Sequence, residues 1–198
     1  MLSFSVNTVK DSGSPALFNF SVETSLLAFA GSRSMTVSPV ICNDLVSIFG
    51  SLGFSFITGC ADGVDASFRR AISDSDYIAM SIVACAFKSR YNRLRGVFPL
   101  YVVPENIPPK AALAKRTLWI TSRCSMLILF PSDPIGRGSA LAFKSAIMNS
   151  KPVFVVTDTR PKESSLYIVL KSNLFGIVDG YWCIPHIYGK TGLAYEVT

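Results

Sequence analysis

Five short stretches, Leu26–Ala30, Phe54–Thr58, Ser81–Ala86, Met126–Phe130 and Pro152–Val156, are apolar over nearly their whole length. The first two run straight into Gly31 and Gly59. Runs this short and this apolar suit strands buried on both faces, because a strand with one wet face would alternate polar and apolar residues. Helical signals lie between them. Ser38-Pro39 offers an N-cap with proline at the first helical position, and Val40–Phe49 follows with helical periodicity before Gly50 and Gly53. Val64, Phe68 and Ile72 share one face of a second helix, Ala111–Arg123 is rich in helix formers, and Ser139–Met148 forms a further helix. Strand–helix alternation of this kind predicts an α/β fold: a doubly wound, mainly parallel sheet with helices on both faces.

The rest of the chain carries weaker signals. Residues 1–22 read as an arm or an edge strand, and Ser81–Ala86 has a length that also allows a buried helix. Phe87–Pro109 reads as irregular. Beyond Thr157, Ser164–Lys171 is expected as a helix, and Tyr181, Trp182 and Tyr188 are expected to pack onto the sheet. The whole of 1–198 is read as one domain, with its core at about 26–156 and a C-terminal extension over 157–198.

At 49% hydrophobic and 16% charged, the 198-residue chain is far from the composition of a disordered protein. Its longest apolar stretch, Ile78 to Phe87, is interrupted by Ser81 and is too short to cross a bilayer. Lys10, Asp11 and Glu23 break any signal-peptide pattern, so a cytoplasmic protein without membrane contact is expected. Lys+Arg 19 against Asp+Glu 13 leaves a charge of +6, which suits either an anionic partner such as a nucleotide or nucleic acid, or solubility alone. The five cysteines show no CxxC spacing and the single histidine is His186. Neither a disulfide framework, a zinc cluster nor a Ser-His-Asp mechanism is expected, and the thiols are read as buried and reduced. No metal or cofactor is expected.

In a doubly wound sheet, ligands sit outside the carboxyl ends of the strands. Three loops that leave a strand for a helix are rich in small residues: Gly31-Ser32-Arg33-Ser34, the stretch from Thr58 to Asp65, and Gly136-Arg137-Gly138-Ser139-Ala140. Each lets backbone N–H groups approach an anion, and each precedes a helix N-terminus with its partial positive charge. All three are expected on one edge of the sheet. Gly136 and Gly138 begin a GxGxxG pattern that Leu141 breaks, with Asp158 at a distance suited to ribose recognition. There is no GxxxxGK[ST] element, which excludes P-loop chemistry.

A strand ending in Gly31-Ser32-Arg33, a second continuing through Gly59, Ala61, Gly63, Val64 and Asp65, and a helix start at Gly138-Ser139 with Ala146 beyond it together resemble the SLOG superfamily. That superfamily includes DprA-like (Smf) DNA-processing proteins and the LOG phosphoribohydrolases. The resemblance covers about Leu26 to Val156. In DprA-like sequences the second motif reads G-G-A-x-G-I-D, and here Cys60 replaces a glycine. Arg116 lies roughly where the family has an RN or RNR element, although Lys115-Arg116-Thr117 departs from it. The resemblance implies a Rossmann-like fold with a nucleotide-phosphate pocket. LOG enzymes cleave a glycosidic bond with the glutamate of a PGGxGTxxE motif, and the matching stretch Gly138–Ala142 has alanine in that position.

The candidate ligand residues are therefore Gly31, Ser32, Arg33, Thr58, Gly59, Gly63, Asp65, Arg116, Gly136, Arg137, Gly138 and Ser139. Arg33 either clamps a phosphate or makes a surface salt bridge. Asp65 either stabilises its helix start or takes a ribose hydroxyl. Asp62 is the candidate acid–base carboxylate, and Cys60 is read as a small filler. Lys88, Arg90, Tyr91, Arg93 and Arg95 interleave cations with an aromatic ring, as suits either single-stranded nucleic acid or a solvated face. Trp119 and Phe143 are expected in the core. Three functions follow. One is a DprA-like module binding a nucleotide, a nucleotide-derived ligand or single-stranded DNA. The others are a LOG-like nucleotide N-glycosidase and a non-catalytic assembly protein. The first is expected, with little or no turnover and with homo-oligomer formation.

Overall fold

The computed structural model describes residues 25–94, 99–103 and 106–186. The arm expected over 1–22, Arg95 and Tyr188 lie outside them. Strand β1 (Leu26–Gly31) leads to helix α1 (Pro39–Ser51), β2 (Ser55–Gly59), α2 (Val64–Ser73) and β3 (Ser81–Cys85). After β3 come the short α3 (Lys88–Tyr91) and β4 (Pro99–Tyr101), both within the stretch expected to be irregular. Helix α4 (Pro109–Arg123), β5 (Met126–Phe130), α5 (Arg137–Met148) and β6 (Val153–Val155) follow. The chain then turns back on itself through β7 (Tyr167–Leu174) and β8 (Val178–Pro185).

The strands form one eight-stranded sheet of order β4-β3-β2-β1-β5-β6-β8-β7. The first six are parallel, with Ala28 opposite Ile57 on one side and Leu127 on the other. β8 pairs antiparallel to β6, and β7 antiparallel to β8. The α/β reading and the mainly parallel sheet are as the sequence predicts.

Alternate residues of each buried strand point to opposite faces, which is why continuous apolar runs were needed. Leu27, Phe29, Phe56 and Ile128 pack with Leu45 and Phe49 of α1 and Phe68 and Ile72 of α2. Ala28, Ile57, Leu127 and Leu129 pack with Ile120 of α4 and Ala142 and Ala146 of α5. The Phe29 and Phe68 rings stack with centroids 3.8 Å apart. Each such ring, fully buried, contributes about 1.5–3 kcal/mol through removal from water. Trp119 and Phe143 are half-buried at the margin of this layer, with the Arg123 guanidinium 4.1 Å above the Trp119 ring.

Two expectations need correction. Ser164–Lys171 is not a helix: Tyr167–Leu174 is a strand whose eight residues all pair with β8. The hairpin is closed by Phe175 and Gly176, both at positive φ, and Ile177 N–H donates to Leu174 C=O. Two positive φ values at the centre of a turn match the twist of flanking antiparallel strands. Tyr181 and Trp182 do not lie on the sheet but inside it, in β8, where the Trp182 ring meets Phe154 edge-on at 5.1 Å. Ser38 stands at the N-cap of α1 as expected, but its side chain makes no capping hydrogen bond.

Candidate phosphate-binding cleft

From β1 the chain moves through α1 to β2 on one side, while β5 lies on the other side of β1 and leads onward to β6. The carboxyl ends of β1 and β5 are thus the point where strand order reverses, and a crevice opens there in folds of this kind. Backbone hydrogen bonds tie the first loop to the second and to the end of β5 at this edge. Ser32 N–H donates to Phe130 C=O at 2.9 Å, and Val64 N–H donates to Ser32 C=O at 3.0 Å.

The glycines divide by what surrounds them. Gly63 has φ +68, and a side chain there would overlap the carbonyl oxygens of Ser32 and Arg33. Its role is to let α2 dock against the first loop. A methyl group on Gly59 would overlap Arg116 Nη1 and Asp65 Oδ2, and one on Gly31 would overlap the Phe130 carbonyl. Those glycines make room for the protein's own atoms. By contrast, nothing lies within 4 Å of a Cβ built on Gly138, and Gly136 meets only Ser132 Oγ at 3.5 Å.

Gly59 leaves space for a buried ion pair: Arg116 Nη1 donates to Asp65 Oδ2 at 2.9 Å, and Ala61 N–H donates to the same oxygen at 3.2 Å. The two side chains keep 7% and 8% of their surface, so a loss of either would strand a charge. Arg116 Nε is buried with no hydrogen-bond partner among the described residues. Helix α2 adds Arg69, whose Nη1 donates to the carbonyls of Gly59 and Ala61 at 2.7 Å each. Helix α3 adds Arg90, which donates to Cys60 C=O at 2.9 Å and lies over the Phe87 ring.

Around this frame is a cleft of about 340 Å³ between α4, α5 and the loop after β1. Its lining includes Gly31, Arg33, Asp65, Arg116, Arg137, Gly138 and Ser139 from the sequence-derived set, and Lys110, which sequence reasoning missed. Ser32, Thr58, Gly59, Asp62, Gly63 and Gly136 do not line it. Ser32 and Gly63 hold the loops together, Thr58 is fully buried in β2, and Asp62 is exposed beside the cleft rather than in it. Asp158, beyond β6, is also exposed and outside the cleft. Arg33, Lys110 and Arg137 are exposed and make no hydrogen bond or ion pair among the described residues. Arg137, Gly138 and Ser139 of the first turn of α5 line the same opening, and no side chain caps that helix start. Leu113, Ile120, Leu127 and Leu141 supply an apolar floor. Asp65 is the one carboxylate among the described lining residues, and Arg116 already neutralises it. The arrangement can hold an anionic group against three cations and a helix N-terminus, with an apolar surface beside it.

Cys60, opening the second loop, is buried with Cys85. Its thiol is drawn down to about 5, chiefly by its interaction with the neighbouring Cys85 thiol, with help from Ala86 N–H, Arg116 and Arg90 against the effect of burial. Cys85 is pushed up by the neighbouring Cys60 thiol and by burial, and its Sγ donates to Val83 C=O at 3.6 Å. Among the described residues, no group of three or more His, Cys, Asp and Glu could hold a metal, and no helix is long and apolar enough to cross a membrane.

Fold and cleft together define a Rossmann-like α/β protein with a crevice lined by Arg33, Lys110 and Arg137 at its strand-order reversal. Among solved structures, the chain is similar to DNA processing protein A from Helicobacter pylori, a structure that describes single-stranded DNA binding by that protein. The two match with a TM-score of 0.55 at 20% identity, over 72% of this chain and 70% of that one. It is also similar to DNA processing protein A (DprA) from Streptococcus pneumoniae, with a TM-score of 0.52 at 19% identity, over 70% of this chain and 52% of that one. This chain thus spans about half of the Streptococcus protein. No family model matches the chain, and no curated protein matches it in sequence. At these identities the likeness establishes the fold.

Proposed function

We propose that this protein binds single-stranded DNA, seating backbone phosphate at the mouth of the cleft between Arg33, Lys110, Arg137 and the start of α5. The observation that carries the reading is that three cations without partners among the described residues converge on one crevice at the carboxyl edge of the sheet. The shared fold with the Helicobacter protein, whose structure describes single-stranded DNA binding, supports DNA over other phosphate esters. The open face at Gly138 lets a phosphate approach the backbone amides, and the apolar floor suits the edge of a sugar or base. Binding is the function, without turnover. Ala142 lines the cleft where LOG enzymes carry their glutamate, and Asp65 is held by Arg116.

Fluorescence anisotropy with a labelled oligothymidylate tests this. Neutralising three phosphates on a single strand gives a slope of log K against log salt of about −2. Affinity independent of salt would overturn the reading. Displacement of the strand by a nucleoside monophosphate at equal concentration would shift it to a free-nucleotide site.

A further inference from the structure

Cys60 and Cys85 lie one step beyond the paired residues Gly59 and Ala84, on the neighbouring parallel strands β2 and β3. Neighbouring strands run about 4.8 Å apart, within the roughly 4.4–6.8 Å between Cα atoms that a disulfide spans. Both side chains belong to one small cluster with Val83, Ala86, Val103 and Ala112. Nothing in the proposed DNA site uses them. We propose that Cys60 and Cys85 are a redox-active dithiol, with Cys60 as the attacking thiol, that closes to a disulfide on reaction with a hydroperoxide.

Three observations support the assignment of roles. Cys60 keeps 4% of its surface and Cys85 none, so an oxidant meets Cys60 first. Arg90 on α3, Arg116 on α4 and Arg69 on α2 all bear on Cys60 and favour its thiolate. The other thiols, Cys42, Cys124 and Cys183, are buried and held protonated by that burial. In the first step, the Cys60 thiolate attacks one peroxide oxygen, the O–O bond breaks, and the departing hydroxide takes up a proton as water. Cys60 is then a sulfenic acid. In the second step, Cys85 loses its proton, its sulfur attacks Cys60 sulfur, and hydroxide leaves with that proton as a second water. Two thiols and one hydrogen peroxide become one disulfide and two waters.

The test treats the full chain with hydrogen peroxide, alkylates the remaining thiols under denaturing conditions, and maps the peptides without reduction. The expected result is a peptide pair joined through Cys60 and Cys85, with Cys42, Cys124 and Cys183 alkylated, and reversal of the link by dithiothreitol. Cys85→Ser should lose the cross-link and leave Cys60 as sulfenic or sulfinic acid, with unchanged circular dichroism. In the untreated protein at neutral pH, iodoacetamide should label Cys60 at least tenfold faster than Cys42, Cys124 or Cys183. Recovery of Cys60 and Cys85 both unlinked after peroxide treatment, or crosslinks spread over the other cysteines, would overturn the proposal.

Discussion

A methyl group at Gly59 would overlap the Arg116–Asp65 ion pair, whereas one at Gly138 would meet nothing within 4 Å. The same substitution therefore separates structure from binding. Gly59→Ala breaks a buried pair and should cost about 3–5 kcal/mol, read as a lower urea midpoint. Gly138→Ala sits in the first turn of α5 at ordinary φ, so it should leave stability equal or raise it by about 0.4–1 kcal/mol. Its methyl group nonetheless stands in the open mouth, and DNA affinity should fall. A Gly138→Ala protein that binds oligothymidylate as well as wild type would remove the α5 amides from the site. Arg137→Ala is the matching charge deletion. It is exposed and without a partner among the described residues, so stability should stay within about 0.5 kcal/mol, while affinity drops roughly tenfold.

At the level of elements, the five parallel strands β1, β2, β3, β5 and β6 were legible because each is largely buried on both faces and so reads as an apolar run, whereas β4, with Leu100 exposed, lies in the stretch that reads as irregular. The C-terminal hairpin was not legible either. In β7 only Val169 and Leu174 are buried, and polar residues intervene, so Ser164, Leu166 and Leu170 could equally be read at helical spacing. Pairing with β8 decides between the two, and pairing is not a local property. Gly176 was a visible turn signal, but Phe175 beside it at φ +58 is not a residue that announces such a backbone. The hairpin offers its own check. Gly176 has φ +75 and open space around it, so Gly176→Ala should cost only the conformational penalty of about 1–2 kcal/mol. Gly180 lies under the Val155 carbonyl and the Phe154 ring, where β8 meets β6. Gly180→Ala must push backbone against backbone and should cost more than Gly176→Ala. Equal urea midpoints for the two variants would mean that β8 does not sit against β6 as described.

For the molecule as a whole, the site is assembled from parts far apart in the chain, and this limited what sequence could reveal. The glycine loops could be read one by one, and a parallel sheet brings their ends to one edge. Lys110 and Arg69 gave no local signal, because one depends on where α4 lies and the other on carbonyls in the preceding loop. Asp65 and Arg116 meet across 51 residues. The same assembly gives the thiols opposite fates, which the pH dependence of stability should expose. Burial holds Cys42, Cys124 and Cys183 up at about 12, 11 and 12 against an ordinary 9.0. Above pH 9 the unfolded chain loses these protons while the folded chain keeps them. Stability must then fall as pH rises, by about 1.4 kcal/mol per unit for each thiol. Cys60 behaves in the reverse sense. With Cys85, Ala86 N–H, Arg116, Arg90 and Arg69 around it, it is held near 5, so between pH 5 and 9 the folded chain has released a proton that the unfolded chain retains. Stability from this group is present above pH 9 and is lost as pH falls toward 5. Cys60→Ser removes that contribution and leaves Cys42, Cys124 and Cys183, whose shifts come from their own burial, as they are. Urea denaturation from pH 6 to 8.5 should therefore show wild type gaining stability relative to Cys60→Ser with each pH step. Parallel curves across the lower range would mean that Cys60 stays a thiol in the folded protein.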